Sequence, residues 1–126
     1  MYNFCTQSYM IENKGDYLYV EHTEPYELNS FIALMKEVAE ACREQNIHKV
    51  LVDVRGMTGK IKAMERFRLG QVGAETFSGL AQVGIAYRKE EINWFAETVG
   101  VNRGAHVRIF GEIEEAMEWL GINSEK

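Results

Sequence analysis

The sequence predicts one α/β domain. Its core is an open, mostly parallel five-stranded sheet with an N-terminal antiparallel hairpin and about four helices, in the order ββαβαβαβα. Three observations lead there. Short apolar runs alternate with longer segments whose apolar residues recur every three or four positions, the mark of strands alternating with helices. Two of the short runs, 50–54 and 80–87, are almost continuously apolar, as in strands covered on both faces of a parallel sheet. The chain has 126 residues, 46% of them apolar, which suits a single domain spanning 1–126 and a core that needs no disulfide or metal.

The elements follow in order. Residues 4–12 carry enough aromatic and β-branched residues for a strand, Asn13-Lys14-Gly15-Asp16 is a turn cluster, and residues 17–22 resume the strand pattern; together they read as a hairpin. A helix is expected from about Pro25 or Glu27 to Gln45, with Leu28, Phe31, Ile32, Met35, Val38, Ala39 and Cys42 on one face. Pro25 suits its first turn, where the missing N–H costs nothing. Val50–Val54 is the next strand, and 55–60 is a loop. A second helix runs from about Ala63 to Phe77, weakened by Gly70 and Gly73. Residues 80–87 form a buried strand. Ile92, Phe95, Ala96 and Val99 mark a third helix, ended at Asn102-Arg103-Gly104 by a left-handed glycine cap. Residues 107–110 give the last strand. Ile113, Ala116, Met117 and Leu120 mark the final helix, whose Glu112, Glu114, Glu115 and Glu118 form a solvated acidic face.

Composition narrows the function. Fourteen Lys and Arg against nineteen Asp and Glu give a net charge of -5, which argues against a nucleic-acid partner. No stretch is long and apolar enough for a membrane span, and the first residues lack the basic start and apolar core of a secretory signal. Cys5 and Cys42 read as reduced thiols of a cytoplasmic protein, too few for a zinc cluster. No metal and no cofactor are implied.

Several segments carry a resemblance. Val50-Leu51-Val52-Asp53-Val54-Arg55-Gly56 is similar to the strand-plus-aspartate of the STAS fold of bacterial anti-sigma-factor antagonists. Glu65-Arg66-Phe67-Arg68-Leu69-Gly70 and Trp94-Phe95-Ala96-Glu97-Thr98-Val99 resemble the SpoIIAA-like family in particular. So do Asn102-Arg103-Gly104, Val107-Arg108-Ile109-Phe110 and Glu115-Ala116-Met117-Glu118-Trp119-Leu120. The resemblance covers roughly residues 10–121, and its specificity lies in the order and spacing of these segments. It implies a non-enzymatic STAS-like or CRAL-TRIO-like domain. True antagonists switch partners on phosphorylation of a serine at the start of the second helix. Here that stretch is Gly59-Lys60-Ile61-Lys62-Ala63, with no serine, and Thr58 is the nearest hydroxyl. Phosphoserine switching is therefore not carried over. The related CRAL-TRIO carriers bind apolar ligands.

No catalytic constellation emerges. His22, His48 and His106 stand at strand ends with no relay spacing, and neither Gly-x-Ser-x-Gly nor His-Glu-x-x-His occurs. Asp53 ends a buried strand, where functional carboxylates often sit, but its simpler role is to cap the following loop. Gly56-Met57-Thr58-Gly59-Lys60-Ile61 fails as a phosphate loop, because Val54 and Ile61 stand where glycine and a hydroxyl residue are required.

The informative feature is charge. Parallel strands bring the loops after their carboxyl ends to one rim. Those loops hold Arg55, Lys60, Lys62, Arg66, Arg88 and Lys89, partly offset by Glu65, Glu90 and Glu91. The second helix also starts there, and its dipole favours anions. An ordinary solvated surface is the competing reading. Met57, Met64 and Phe67 make a candidate apolar pocket under the second and third helices, with Trp94 facing a partner or bilayer interface and Trp119 sealing the core edge. The expectation is a regulatory or scaffolding module acting through protein contacts at 55–62, the second helix and 87–91. The alternative is a carrier of an apolar or anionic small ligand or a lipid, touching membranes peripherally; an enzyme of unknown chemistry is the third and weakest. The edge strand of the hairpin is open to pairing with a second copy, giving a homodimer.

Overall fold

The computed structural model describes residues 3–5, 9–89 and 106–122. The helix expected at 92–99, its cap at 102–104, Trp94, Glu90 and Glu91 lie outside them. Six strands form one sheet in chain order: β1 (Asn3–Cys5), β2 (Tyr9–Asn13), β3 (Leu18–His22), β4 (Lys49–Asp53), β5 (Gln82–Ala86) and β6 (His106–Phe110). The pairs β1–β2 and β2–β3 are antiparallel, and β3 to β6 are parallel. The architecture is the predicted α/β sheet with one more strand. The run 4–12 is two strands, which pair with each other through Phe4↔Ile11. In sequence the polar triplet Thr6-Gln7-Ser8 divides them and breaks the apolar alternation one strand would need.

Helix α1 (Leu28–Gln45) starts later than Pro25 because Glu27 caps it. The Glu27 carboxylate accepts from Ser30 N at 2.8 Å, Ser30 Oγ at 2.8 Å and Asn29 N at 3.2 Å. These bonds, led by the Ser30 hydroxyl, hold its pKa below the usual glutamate value. Pro25 thus precedes the cap and is not part of the first turn. At the other end Asn46 adopts a left-handed conformation (φ 57°) and donates its N–H to the Cys42 carbonyl. Helix α2 (Ala63–Phe77) keeps Gly70 and Gly73 inside it, both buried. Helix α3 (Ile113–Leu120) ends at left-handed Gly121.

Alternation along the strands builds two cores. Val20, Val52, Ile85 and Ile109 lie in register across four strands on the face covered by α1 and α2, as do Leu18, Val50, Val83 and Val107. Leu51 faces the other way into a smaller cluster with Ala116, Leu120 and Ile122. The central strand β4 is therefore buried on both sides, as its near-continuous apolar run predicts. The smaller core requires Gly84. A Cβ there would stand 3.2 Å from Leu120 Cδ1 and 3.3 Å from its Cγ, so with any side chain at this position Leu120 would have to give way for α3 to lie this close to the sheet.

Candidate functional site

The carboxyl ends of β3 to β6 meet at one rim, and the loops that leave it are stitched together. Val54 N donates to Ala86 O at 2.9 Å, and Tyr87 N to Phe110 O at 2.9 Å. Tyr26 N donates to Thr58 O at 2.9 Å. Arg88 Nη2 reaches across to Gly59 O at 3.1 Å. Gly59 holds φ +91°, a conformation that a residue with a side chain would resist. The loops at 54–62 and 87–89 do share the rim.

The six cations of that rim have different surroundings. Arg55 folds back on Asp53. Its Nε donates to Oδ1 at 2.9 Å, its Nη2 to Oδ2 at 3.0 Å and its backbone N–H to Oδ1 at 3.1 Å. Asp53 is 9% exposed. Burial works to raise its pKa, but the Arg55 hydrogen bonds outweigh it and the net shift is downward. Tyr19 Oη stands 3.5 Å from Asp53 Oδ2, and burial followed by the Asp53 charge pushes its pKa up to about 12. Asp53 thus caps the loop and anchors Arg55 on the α3 face. Lys89 pairs with Glu112 at 3.5 Å in solvent. Arg88 packs over the Tyr87 ring at 5.3 Å. Lys60 and Lys62 are exposed at the entrance to α2, with Thr58 exposed beside them. Arg66 turns inward, and its Nε donates to Ile61 O at 3.0 Å.

Behind the rim is a cavity of about 120 Å³ between α1, α2 and the sheet. Val20, Val52, Ile85 and Ile109 make its floor; Phe31, Leu34 and Met35 come from α1; Leu69, Gly70, Gly73 and Phe77 come from α2. Met57 lines it and is 1% exposed. Tyr87 and Arg66 close the rim end. Of the residues expected to line a pocket, Met57 lines this one, whereas Met64 is 80% exposed and Phe67 is half-buried outside the lining; the expected third helix lies outside the described residues. Met64 sits in the first turn of α2, where the apolar stripe has not yet reached the sheet. Trp94 lies outside the described residues. Trp119 is half-buried at the edge of the smaller core, 5.9 Å from the Phe110 ring and 5.6 Å from His106.

The histidines stay apart from Asp53. His22 is 3% exposed, packs edge-on against Phe31 at 5.8 Å, and has its pKa lowered chiefly by burial. Its neighbour Glu21 is the residue in register with Asp53, so His22 faces the opposite side of the sheet. His48 and His106 lie at the other end of their strands, and the His48 ring bonds Leu80 O at 2.8 Å. Among the described residues no three His, Cys, Asp or Glu side chains are grouped to hold a metal. Cys42 is a buried free thiol whose pKa burial pushes up to about 11. Among the described residues no helix is long and apolar enough to cross a membrane.

Sequence reasoning placed Arg66 on the rim and missed its inward turn. The signal was present: positions 66, 70, 73 and 77 share one helical face, and the last three are buried. Tyr26 and Tyr87 were missed because each follows its element as a lone aromatic. The Tyr26 hydroxyl is buried, and burial followed by the nearby Glu65 raises its pKa.

A family model for SpoIIAA-like proteins matches residues 17–121. The chain belongs to the SpoIIAA-like family. Solved structures that share its fold include these two. One is an anti-sigma factor antagonist from Mycobacterium paratuberculosis, with a TM-score of 0.61 at 10% identity over 90% of this chain and 93% of that one. The other is an uncharacterized protein with a SpoIIAA-like fold from Shewanella loihica, with a TM-score of 0.51 at 21% identity over 87% of this chain and 89% of that one. No curated protein matches this SpoIIAA-like chain in sequence.

Proposed function

We propose that this SpoIIAA-like protein is a non-catalytic regulatory or scaffolding module of the cytoplasm that binds another protein through its carboxyl rim. The observation that carries the reading is Met64. It is 80% exposed and the only large apolar side chain so exposed among the described residues. It stands at the start of α2 directly after Lys60 and Lys62, both exposed. An apolar knob set among cations suits a partner with an apolar socket and an acidic border. Thr58, exposed in the same loop, is the hydroxyl whose phosphorylation would reverse the local charge. The fold is the one an anti-sigma factor antagonist uses.

The test places a photo-crosslinking side chain at Met64, and separately at Glu118 on the exposed face of α3, in the full chain inside its native cell. The expected result is an adduct with one protein from position 64, none from 118, and loss of the adduct when Lys60→Glu and Lys62→Glu are added. Equal adducts from both positions, or none from 64, overturn the reading.

A further inference from the structure

Asp53 and His22 are both buried at the carboxyl ends of their strands, and their polar atoms fare differently. Asp53 is bonded by Arg55. His22 is 3% exposed, and its Nδ1 is buried without a hydrogen-bond partner. A neutral imidazole tolerates such a place at modest cost, whereas an imidazolium would put a charge and two donors there.

His22 also stands at the foot of a strap. Residues 23–27 leave β3, cross the rim loop and enter α1, and they are exposed except at half-buried Tyr26. The Tyr26 N–H donates to Thr58 O at 2.9 Å. The strap lies close on that loop: a Cβ on Gly56 would stand 3.2 Å from Thr23 Cγ2, and one on Gly59 would stand 3.7 Å from Tyr26 N. Phe31, in the first turns of α1, packs against both the His22 ring, at 5.8 Å, and the Tyr26 ring, at 6.2 Å. The imidazole thus supports Phe31, and Phe31 supports the strap.

The groups around the ring do little to hold a proton on it. Tyr9 of β2, in register with His22, donates its hydroxyl to Glu37 of α1. On the β4 side Val54, which follows Asp53, is buried and apolar. Glu27 is engaged by Ser30 and Asn29, and Glu65 of α2 acts on Tyr26. Burial lowers the His22 pKa from the ordinary histidine value, and it outweighs the exposed Glu24, whose charge favours the proton.

We propose that His22 is a proton-operated latch: while neutral it keeps the strap 23–27 on the rim loop, and on protonation it releases the strap and the first turn of α1. Release gives the charged ring access to water. The strap borders the loop that carries Lys60 and Lys62, so its release reshapes the docking surface proposed above. The test needs no partner, and its failure leaves that reading standing.

The test follows amide hydrogen exchange of the full chain from about pH 7.5 to about pH 5, corrected for the intrinsic pH dependence of exchange. The open form binds a proton near the ordinary histidine pKa of about 6.5, and the closed form only at lower pH. Between the two, uptake of one proton raises the open population about tenfold per pH unit. The expected result is that loss of protection at the Tyr26 and Phe31 amides, with the Val54 amide, bonded to Ala86 O, unchanged. Glu24→Gln should carry the plateau of the loss to lower pH. His22→Phe should remove the pH dependence, with His22→Gln as the second variant if the phenylalanine does not fold. Protection at Tyr26 that does not vary with pH overturns the proposal. So does a pH dependence that survives in the His22 variants, or a loss at Val54 in step with Tyr26, which is global unfolding.

Discussion

The two faces of the sheet solve the same problem differently. On one, α3 lies so close that a Cβ at Gly84 would press on Leu120, and Asp53 and Arg55 close the rim with hydrogen bonds of 2.9, 3.0 and 3.1 Å. On the other, α1 and α2 cover a larger core and leave a cavity bordered by Gly70 and Gly73. Each face carries buried glycine at the contact between layers, yet the glycines serve opposite ends. Gly84 removes volume so that two layers can touch. Gly73 has only Met35 Cε within reach, at 3.4 Å, and its missing side chain leaves space. Glycine in a packed layer is a device for contact or for room, and only the neighbouring atoms say which.

The sharpest way to break this comparison is to make the same substitution on both faces. Gly84→Ala puts a methyl against Leu120, which is itself 2% exposed and has nowhere to move. A loss of about 1–3 kcal/mol is expected, the cost of overpacking, measured by urea unfolding. A midpoint equal to wild type would mean that α3 shifts freely, and the contrast would fall.

A middle-sized effect comes from Asp53. Its carboxylate is stabilised in the folded state, so its folded pKa lies below the unfolded value of about 3.9. The contribution is present above pH 4 and is lost as the pH falls through the folded pKa. Arg55 is 40% exposed, so solvent screening limits the pair to about 1 kcal/mol. Asp53→Asn should cost that amount at pH 7 and little at pH 3. A difference between variant and wild type that stays constant across thermal melts from pH 7 to pH 3 would show that the carboxylate charge is not what holds the loop.

The smallest effect has the opposite sign. Gly73→Ala gains helix propensity of up to about 1 kcal/mol at a buried position with room for a methyl, so its midpoint should rise. A fall would mean that Met35 cannot yield and that the cavity face is as tight as the other.

Much of the fold was legible because its signals are local. The spacing of Phe31, Met35, Val38 and Cys42 gave α1, and the apolar run 50–54 gave a strand covered on both faces. The rim was legible too, since parallel strands put their following loops on one side whatever their side chains do. The sixth strand was missed, although the polar triplet Thr6-Gln7-Ser8 interrupts the run 4–12. Of the two starts offered for α1, Pro25 and Glu27, the cap selects Glu27, a glutamate that does the work usual for a shorter side chain. Met64 and Phe67 were misjudged for a related reason: Met57 turns inward from the loop before α2, while Met64 and Phe67 stand on a side of α2 that does not line the cavity.

By itself the sequence determined the class of architecture and the rim to which the loops after the parallel strands run, since periodicity and order survive without coordinates, and its segments carried the resemblance to the SpoIIAA-like family. The tertiary structure alone decided which cations face inward, that Arg55 is taken up by Asp53 while Arg66 borders a cavity, and that one layer is dense and the other is not. Those outcomes depend on distances between residues far apart in the chain, which no local pattern records.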